Sequence, residues 1–259
     1  MNNNFTFAIE ISHIIKMKKV VIIGASSGIG EALAKEFASQ KYEVAIAARR
    51  IENLKKLKEE YPQITLFRAI DITSEGCVTE LSQLIAELGG MDILLLTAGV
   101  GWRNPSLDEE KELHTIDVNC TGFTRILLYA YQYFCQKGYG TIAATSSIAG
   151  FRGLDLCPAY SASKAFELSY LESLRRKSKT ERKDIKIISL IPGFVNTAMG
   201  QGTGVFWRCE PEVAAQQIRK GIEQKKEIIY ITKRWRIVAW FMKRIPNFLF
   251  ENIAFRTKA

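Results

Sequence analysis

Short runs dominated by apolar and β-branched residues recur along the chain at 20–23, 44–48, 64–70, 93–96, 141–145, 185–191 and 228–231. Between them the pattern changes to helical spacing, at about 28–40, 51–60, 74–88, 118–136, 159–177 and 212–223. Continuous apolar strands that alternate with amphipathic helices predict a parallel sheet covered on both faces. The expectation is therefore α/β: a single-domain doubly wound Rossmann fold with a seven-stranded parallel sheet, over residues 17–232. Such a sheet takes its ligands at the carboxyl ends of the strands.

The two ends of the chain stand outside this alternation. Residues 1–16 read as an N-terminal appendage. Glu10 interrupts their apolar run and no basic stretch precedes it, so a signal peptide is not expected. Residues 233–259 read as a basic amphipathic C-terminal tail. Nine Lys/Arg against two Glu fall between 225 and 259, so +7 of the net charge of +9 sits there and the remainder is nearly neutral. That distribution argues against a nucleic-acid surface on the domain. Five cysteines without C-x-x-C spacing suggest reduced thiols in a cytoplasmic protein, and neither His13 nor His114 sits in a metal-ligand pattern.

The first predicted strand runs into Gly24-Ala25-Ser26-Ser27-Gly28-Ile29-Gly30, which opens the first helix. Glycines there let the backbone turn tightly and approach a pyrophosphate, which the helix N-terminus attracts. The second strand ends in Ala48 followed by Arg49 and Arg50, where a carboxylate would favour NAD. Guanidinium pairs with phosphate through two hydrogen bonds, so NADP(H) is preferred over NAD(H). Asp71 and Ile72 follow the third strand, where an adenine edge would be read. Thr97, Ala98 and Gly99 follow the fourth, along the cofactor's ribose.

Tyr160 and Lys164 are four residues apart on a predicted helix and share a face. Ser147 ends the fifth strand, and Asn119 lies in Asp117-Val118-Asn119. Tyrosine ionises near pH 10, so bringing it to neutrality requires about 4 kcal/mol. A lysine ammonium about 4 Å away supplies roughly that at an effective dielectric near 20, and a positive nicotinamide ring adds to it in the oxidative direction. Ser147 would hydrogen-bond the substrate oxygen. Asn119 would hold a water that links Lys164 to solvent.

Together these residues resemble the classical short-chain dehydrogenase/reductase family: G-x-x-x-G-x-G, Asn, Ser, Y-x-x-x-K, then Pro192-Gly193 with Thr197 after the sixth strand. The resemblance covers roughly residues 17–232, in the family's order and spacing. It implies Tyr160 as general acid/base, Lys164 as its modulator and a ribose ligand, Ser147 as carbonyl orienter and Asn119 as relay residue. Pro192, Gly193, the Val195 backbone and Thr197 would meet the nicotinamide end. Two positions depart from the pattern: Ile23 replaces a Thr or Ser, and Thr97 replaces the Asn of N-A-G.

The implied function is NADPH-dependent reduction of a ketone or aldehyde to an alcohol, or the reverse. The same-fold alternative, an epimerase or dehydratase, would want a larger C-terminal domain; a catalytically silent NADP-binding sensor or scaffold is the alternative of another class. A lid at about 194–210, with Phe194, Met199, Val205, Phe206 and Trp207 between Gly200, Gly202 and Gly204, implies a lipid-like or steroid-like substrate. In the tail, Trp235, Val238, Met242 and Ile245 follow helical spacing beside Lys233, Arg234, Arg236, Lys243 and Arg244. Such a helix suits the inner face of a membrane or a return onto the domain. By family analogy the long helices at 118–136 and 159–177 would join subunits into a homodimer or homotetramer.

Overall fold

The computed structural model describes residues 17–200 and 206–251. The appendage, Gly202, Gly204 and Val205 of the lid, and the end of the tail with Phe255 lie outside the described residues.

Seven strands, β1 (Lys18–Ile23), β2 (Tyr42–Ala48), β3 (Ile64–Ala69), β4 (Ile93–Leu96), β5 (Tyr139–Thr145), β6 (Asp184–Pro192) and β7 (Ile228–Ile231), form one sheet in the order β3-β2-β1-β4-β5-β6-β7. Every pairing is parallel. The order reverses between β1 and β4, which opens the cleft in which such sheets bind ligands. Because side chains alternate across a strand, Val20 and Ile22 fall into one buried cluster and Val21 and Ile23 into the other. The first cluster is covered by α1 (Gly28–Ala38), α2 (Ile51–Glu60) and α7 (Pro211–Glu223). The second is covered by α3 (Cys77–Glu87), α5 (Phe123–Lys137) and α6 (Pro158–Thr180).

Two features differ from the sequence expectation. The helix expected to start at 118 begins at α4 (Glu109–Ile116), capped by Asp108, whose carboxylate accepts from Lys111 N at 3.2 Å. It then widens into a π-type turn, Asp117–Gly122, before continuing as α5. The charged face of α4 hid it: Leu113 and Ile116 are exposed, so no apolar stripe marks the segment.

The second difference concerns the tail. Residues 235–250 form α8 (Trp235–Arg244) and α9 (Asn247–Phe250), and Trp235 and Ala239 are buried. Trp235 packs against Phe194, Phe206 and Trp207 at ring distances of 5.5, 5.3 and 6.0 Å. Val238, Met242 and Ile245 are half-buried, so of the two courses left open by the sequence, an interface or a return onto the domain, this stripe takes the second and is the more enclosed face of α8. Ile237, Trp240 and Phe241 are left exposed. The indole is large enough to complete an aromatic cluster with these three rings, which gives α8 a buried side.

Candidate active site

The turn after β1 is shaped by close approach. Gly24 has φ of +95°, and a Cβ there would come within 2.4 Å of Ala98 N. A Cβ on Gly30 would lie 2.2 Å from Gly24 O. Only glycine allows the turn, the segment after β4 and the start of α1 to meet so tightly. Ser27 occupies the N-cap of α1 yet gives no side-chain bond to the helix. Its hydroxyl instead accepts from Arg50 Nη2 at 2.7 Å, and Ser26 Oγ accepts from the same nitrogen at 2.9 Å. Asn53 Nδ2, which sequence reasoning missed, donates to Ser26 O at 3.1 Å.

The opening turn of α1 is thus left without a side-chain cap, beneath a guanidinium. This suits a pyrophosphate and a further phosphate beside it. Arg49 is exposed on the same rim, and its charge reaches Asp71. Burial would raise the Asp71 carboxyl, but hydrogen bonds from Thr73 N at 3.0 Å and Thr73 Oγ1 at 2.7 Å, with Arg49 beyond, hold it below its ordinary value. Ile72 beside it is buried. The two departures from the family pattern touch: Thr97 Oγ1 donates to Ile23 O at 3.0 Å, so the threonine ties β4 to β1.

At the other end, Asn119 sits in the π-type turn, fully buried. Its Oδ1 accepts from Val100 N at 2.9 Å, and its Nδ2 donates to Val100 O at 2.7 Å and Ser163 Oγ at 3.0 Å. Both amide hydrogens are spent on bracing the segment after β4 against α6. A water on this residue therefore has the main-chain carbonyl as its natural acceptor. Gly99 lies over this brace: a Cβ on it would be 3.3 Å from both Asn119 Oδ1 and Lys164 Nζ. Gly101 lies against Tyr160, whose ring a Cβ would strike at 2.4 Å.

Lys164 Nζ lies 5.6 Å from the centre of the Tyr160 ring and 3.5 Å from Thr145 O. Ser147 follows β5 in extended backbone, and its Oγ accepts from Ala149 N at 3.1 Å, which leaves its own proton for another acceptor. Pro192 closes β6, and Gly193 N donates to Ile231 O at 2.9 Å. Val195 bridges to Cys209 across the base of the lid, and Thr197 Cγ2 comes within 3.0 Å of the Cβ position of Gly28. The segment after β6 and the glycine turn after β1 are therefore brought together at Thr197 and Gly28.

Sequence reasoning missed Glu167. It is fully buried on α6, and its Oε1 accepts from Lys164 Nζ at 2.8 Å. Burial would strip Lys164 of its proton, but Glu167, with Tyr160 next, holds its pKa above that of an ordinary lysine. Burial also pushes the Glu167 carboxyl up to about 7, against the opposing pull of Lys164 and Ser146. A signal existed: position 167 lies on the helical face that runs from Lys164 to Leu171 and Leu174, so a glutamate there stands between the lysine and the apolar part of that face.

The comparisons agree with this architecture. The family model described as short chain dehydrogenase matches residues 18–204. A protein of Myxococcus xanthus named an uncharacterized oxidoreductase is 31% identical over 250 residues, 93% of this chain and 98% of that protein. An uncharacterized oxidoreductase of Mycobacterium tuberculosis is 32% identical over 202 residues, 71% of this chain and 76% of that protein. Among solved structures, an alcohol dehydrogenase of Thermococcus sibiricus complexed with 5-hydroxy-NADP superposes with a TM-score of 0.74 at 26% identity, covering 83% of this chain and 96% of that one. A Burkholderia phymatum short chain dehydrogenase/reductase in complex with NAD shares the fold, with a TM-score of 0.77 at 18% identity over 87% of this chain and 92% of that one. The chain belongs to the short-chain dehydrogenase/reductase family of oxidoreductases, which interconvert alcohols and carbonyls with a nicotinamide cofactor.

Proposed function

We propose that the protein is an NADPH-dependent carbonyl reductase, or in reverse an alcohol dehydrogenase, that acts on an apolar ketone or aldehyde. The observation that carries this reading is the convergence of Tyr160, Lys164 and Asn119 on the segment Gly99–Gly101, with Ser147 at the end of β5. The bound cofactor supplies or accepts the hydride. Tyr160 then gives its hydroxyl proton to the carbonyl oxygen in reduction, or takes it back in oxidation. Ser147, whose lone pair already serves Ala149 N, donates to the same oxygen and stabilises its growing charge. Lys164 favours the ionised tyrosine and reaches toward the ribose.

Arg50 on Ser26 and Ser27 supports the preference for NADPH over NADH, with Arg49 as a second cation on the rim. Similar solved structures hold either cofactor, 5-hydroxy-NADP in the Thermococcus sibiricus alcohol dehydrogenase and NAD in the Burkholderia phymatum protein, so the preference rests on the arginines. Phe194, Phe206, Trp207 and Trp235 support an apolar substrate, since they form one aromatic cluster at the lid. Exposed Leu113, Ile116, Leu128 and Phe166 on α4, α5 and α6 suit a homodimer or homotetramer. No described helix is long and apolar enough to cross a membrane. Peripheral contact at the inner face, by a cytoplasmic enzyme, would use Ile237, Trp240 and Phe241 with the neighbouring Lys233, Arg236 and Arg244.

Turnover of a panel of lipid-like, steroid-like and short ketones with NADPH and NADH tests the reading. We expect kcat/KM to favour NADPH and the larger apolar ketones. Binding of NADPH without turnover across the panel would point instead to a sensor.

A further inference from the structure

We infer that Glu167 is a positioning residue for Lys164: its carboxylate aims the buried ammonium and sets how much of that positive charge reaches Tyr160. This rests on the acid/base reading above. Lys164 and Glu167 side chains are 5% and 0% exposed, 2.8 Å apart, at i and i+3 on one face of α6. The same face continues inward with Leu171 and Leu174, so an aliphatic side chain at 167 would extend the core. A carboxylate there costs several kcal/mol in desolvation unless it has a charged partner. The partner it takes is the one lysine on which the acid/base chemistry depends.

The geometry makes the pair a short dipole. The ammonium alone would act on Tyr160 at full strength, but a carboxylate in contact with it cancels much of that field at the tyrosine. Glu167 Oε2 is buried without a hydrogen-bond partner among the described residues, so Lys164 is the charged group that holds this carboxyl, with Ser146 beside it. The titratable groups that face it are Lys164 on its own helix, Tyr160 beyond the lysine, and Cys120 from the π-type turn, whose thiol burial and Glu167 push up while Lys164 opposes. Just past the end of β5, Ser146 adds a hydroxyl that lowers the carboxyl, and its Oγ donates to Lys164 O at 2.8 Å. Protonation of Glu167 releases the lysine's full charge toward the tyrosine; ionisation damps it.

Two measurements test this. In Glu167→Gln the amide oxygen still accepts from Lys164 Nζ, but the negative charge is gone. Above about pH 7, where the parent carboxylate is ionised, the rising limb of alcohol oxidation should then come at lower pH in the variant by about one unit, with the affinity for NADPH within about threefold. Glu167→Asp should return the limb toward the parent. An oxidation profile in Glu167→Gln that superimposes on the parent overturns the proposal. Independently, 13C NMR of glutamate carboxyls in the full protein, with neither cofactor nor substrate, should show one titration near pH 7 that Glu167→Gln removes. Because Lys164 opposes the upward push of burial, Lys164→Met should move that titration to higher pH, and a Glu167 titration that Lys164→Met leaves in place refutes the coupling even where Glu167→Gln fails to fold. Full turnover in Tyr160→Phe alongside the expected carboxyl signal would indict the acid/base reading. An inactive Tyr160→Phe together with a Glu167 titration indifferent to Lys164→Met would overturn the positioning role alone.

Discussion

At the turn after β1 the surface is backbone, shaped by glycines and trimmed by exposed polar side chains such as Arg50 on Ser26 and Ser27. On the inner face of α6 the same cleft is floored by an ammonium and a carboxylate that solvent hardly reaches. The first arrangement adjusts affinity without involving the core, because each exposed hydrogen bond contributes only about 1 kcal/mol. The second ties chemistry to folding, because neither charge can be removed without leaving the other desolvated. Changes at the two ends should therefore separate: affinity without stability at one, and rate together with stability at the other.

The largest expected effect breaks the catalytic end alone. Tyr160→Phe should lower kcat by about 10²- to 10⁴-fold, because only the transferable proton is lost. NADPH affinity, measured by fluorescence titration, should change little. Activity within tenfold of the parent would remove Tyr160 from the mechanism.

Next come substitutions in the buried pair. Lys164→Ala should cost about 3–5 kcal/mol of stability as well as activity, since it strands Glu167. The double change Lys164→Met with Glu167→Leu should be inactive yet as stable as the parent, or about 1–4 kcal/mol more so. Chemical denaturation of the three proteins decides this. The pH dependence has a definite sign. The folded-state value of about 7 for Glu167 lies above its ordinary 4.5, so the fold prefers the protonated carboxyl. Its contribution makes stability fall as pH rises from 4.5 through 7 and stay level beyond, and Glu167→Gln should flatten that slope.

How much of this was legible in the sequence follows the same division. Strands buried on both faces read directly as apolar runs, and glycines at the turn after β1 announce a close backbone approach that the geometry bears out. The Y-x-x-x-K pair was singled out by its spacing together with the glycine turn and the resemblance to the family. What Asn119 touches was not, because Val100 and Ser163 lie 19 and 44 positions away and only the tertiary fold joins them. Glu167 was passed over because a glutamate in a helix is usually solvated, and its burial depends on β5 and the π-type turn packing across it. For Trp235 the sequence left open lipid or a return onto the domain, because helical spacing shows that a face is apolar without showing what covers it.

A smaller effect sharpens the cofactor end. Arg50→Ala should reduce the kcat/KM preference for NADPH over NADH by roughly 10-fold, the worth of one or two charged hydrogen bonds to a phosphate. The melting temperature should stay put, because Arg50 is exposed and its partners are serine hydroxyls. A loss of stability without a change in preference would show that Arg50 merely braces the turn.

The smallest effect concerns the two sides of α8. Trp235 is buried against Gly193 and the lid aromatics, whereas Trp240 and Phe241 on the same helix are half exposed at 50% and 53%. Arg244 lies over the Trp240 ring at 4.5 Å, a contact that contributes about 0.5–1 kcal/mol at an exposed site. Trp240→Ser with Phe241→Ser should therefore alter stability by no more than about 1 kcal/mol. If that outer face meets an anionic surface, the pair should matter only when lipid is present. Flotation with phosphatidylserine vesicles at low salt should recover the parent and lose the double variant, and added salt should release the parent as its basic residues are screened. Equal recovery of both proteins would assign any membrane contact to residues other than this face. Unfolding of the double variant in solution would place the two rings in the core, and the division of α8 into an inner and an outer face would be wrong.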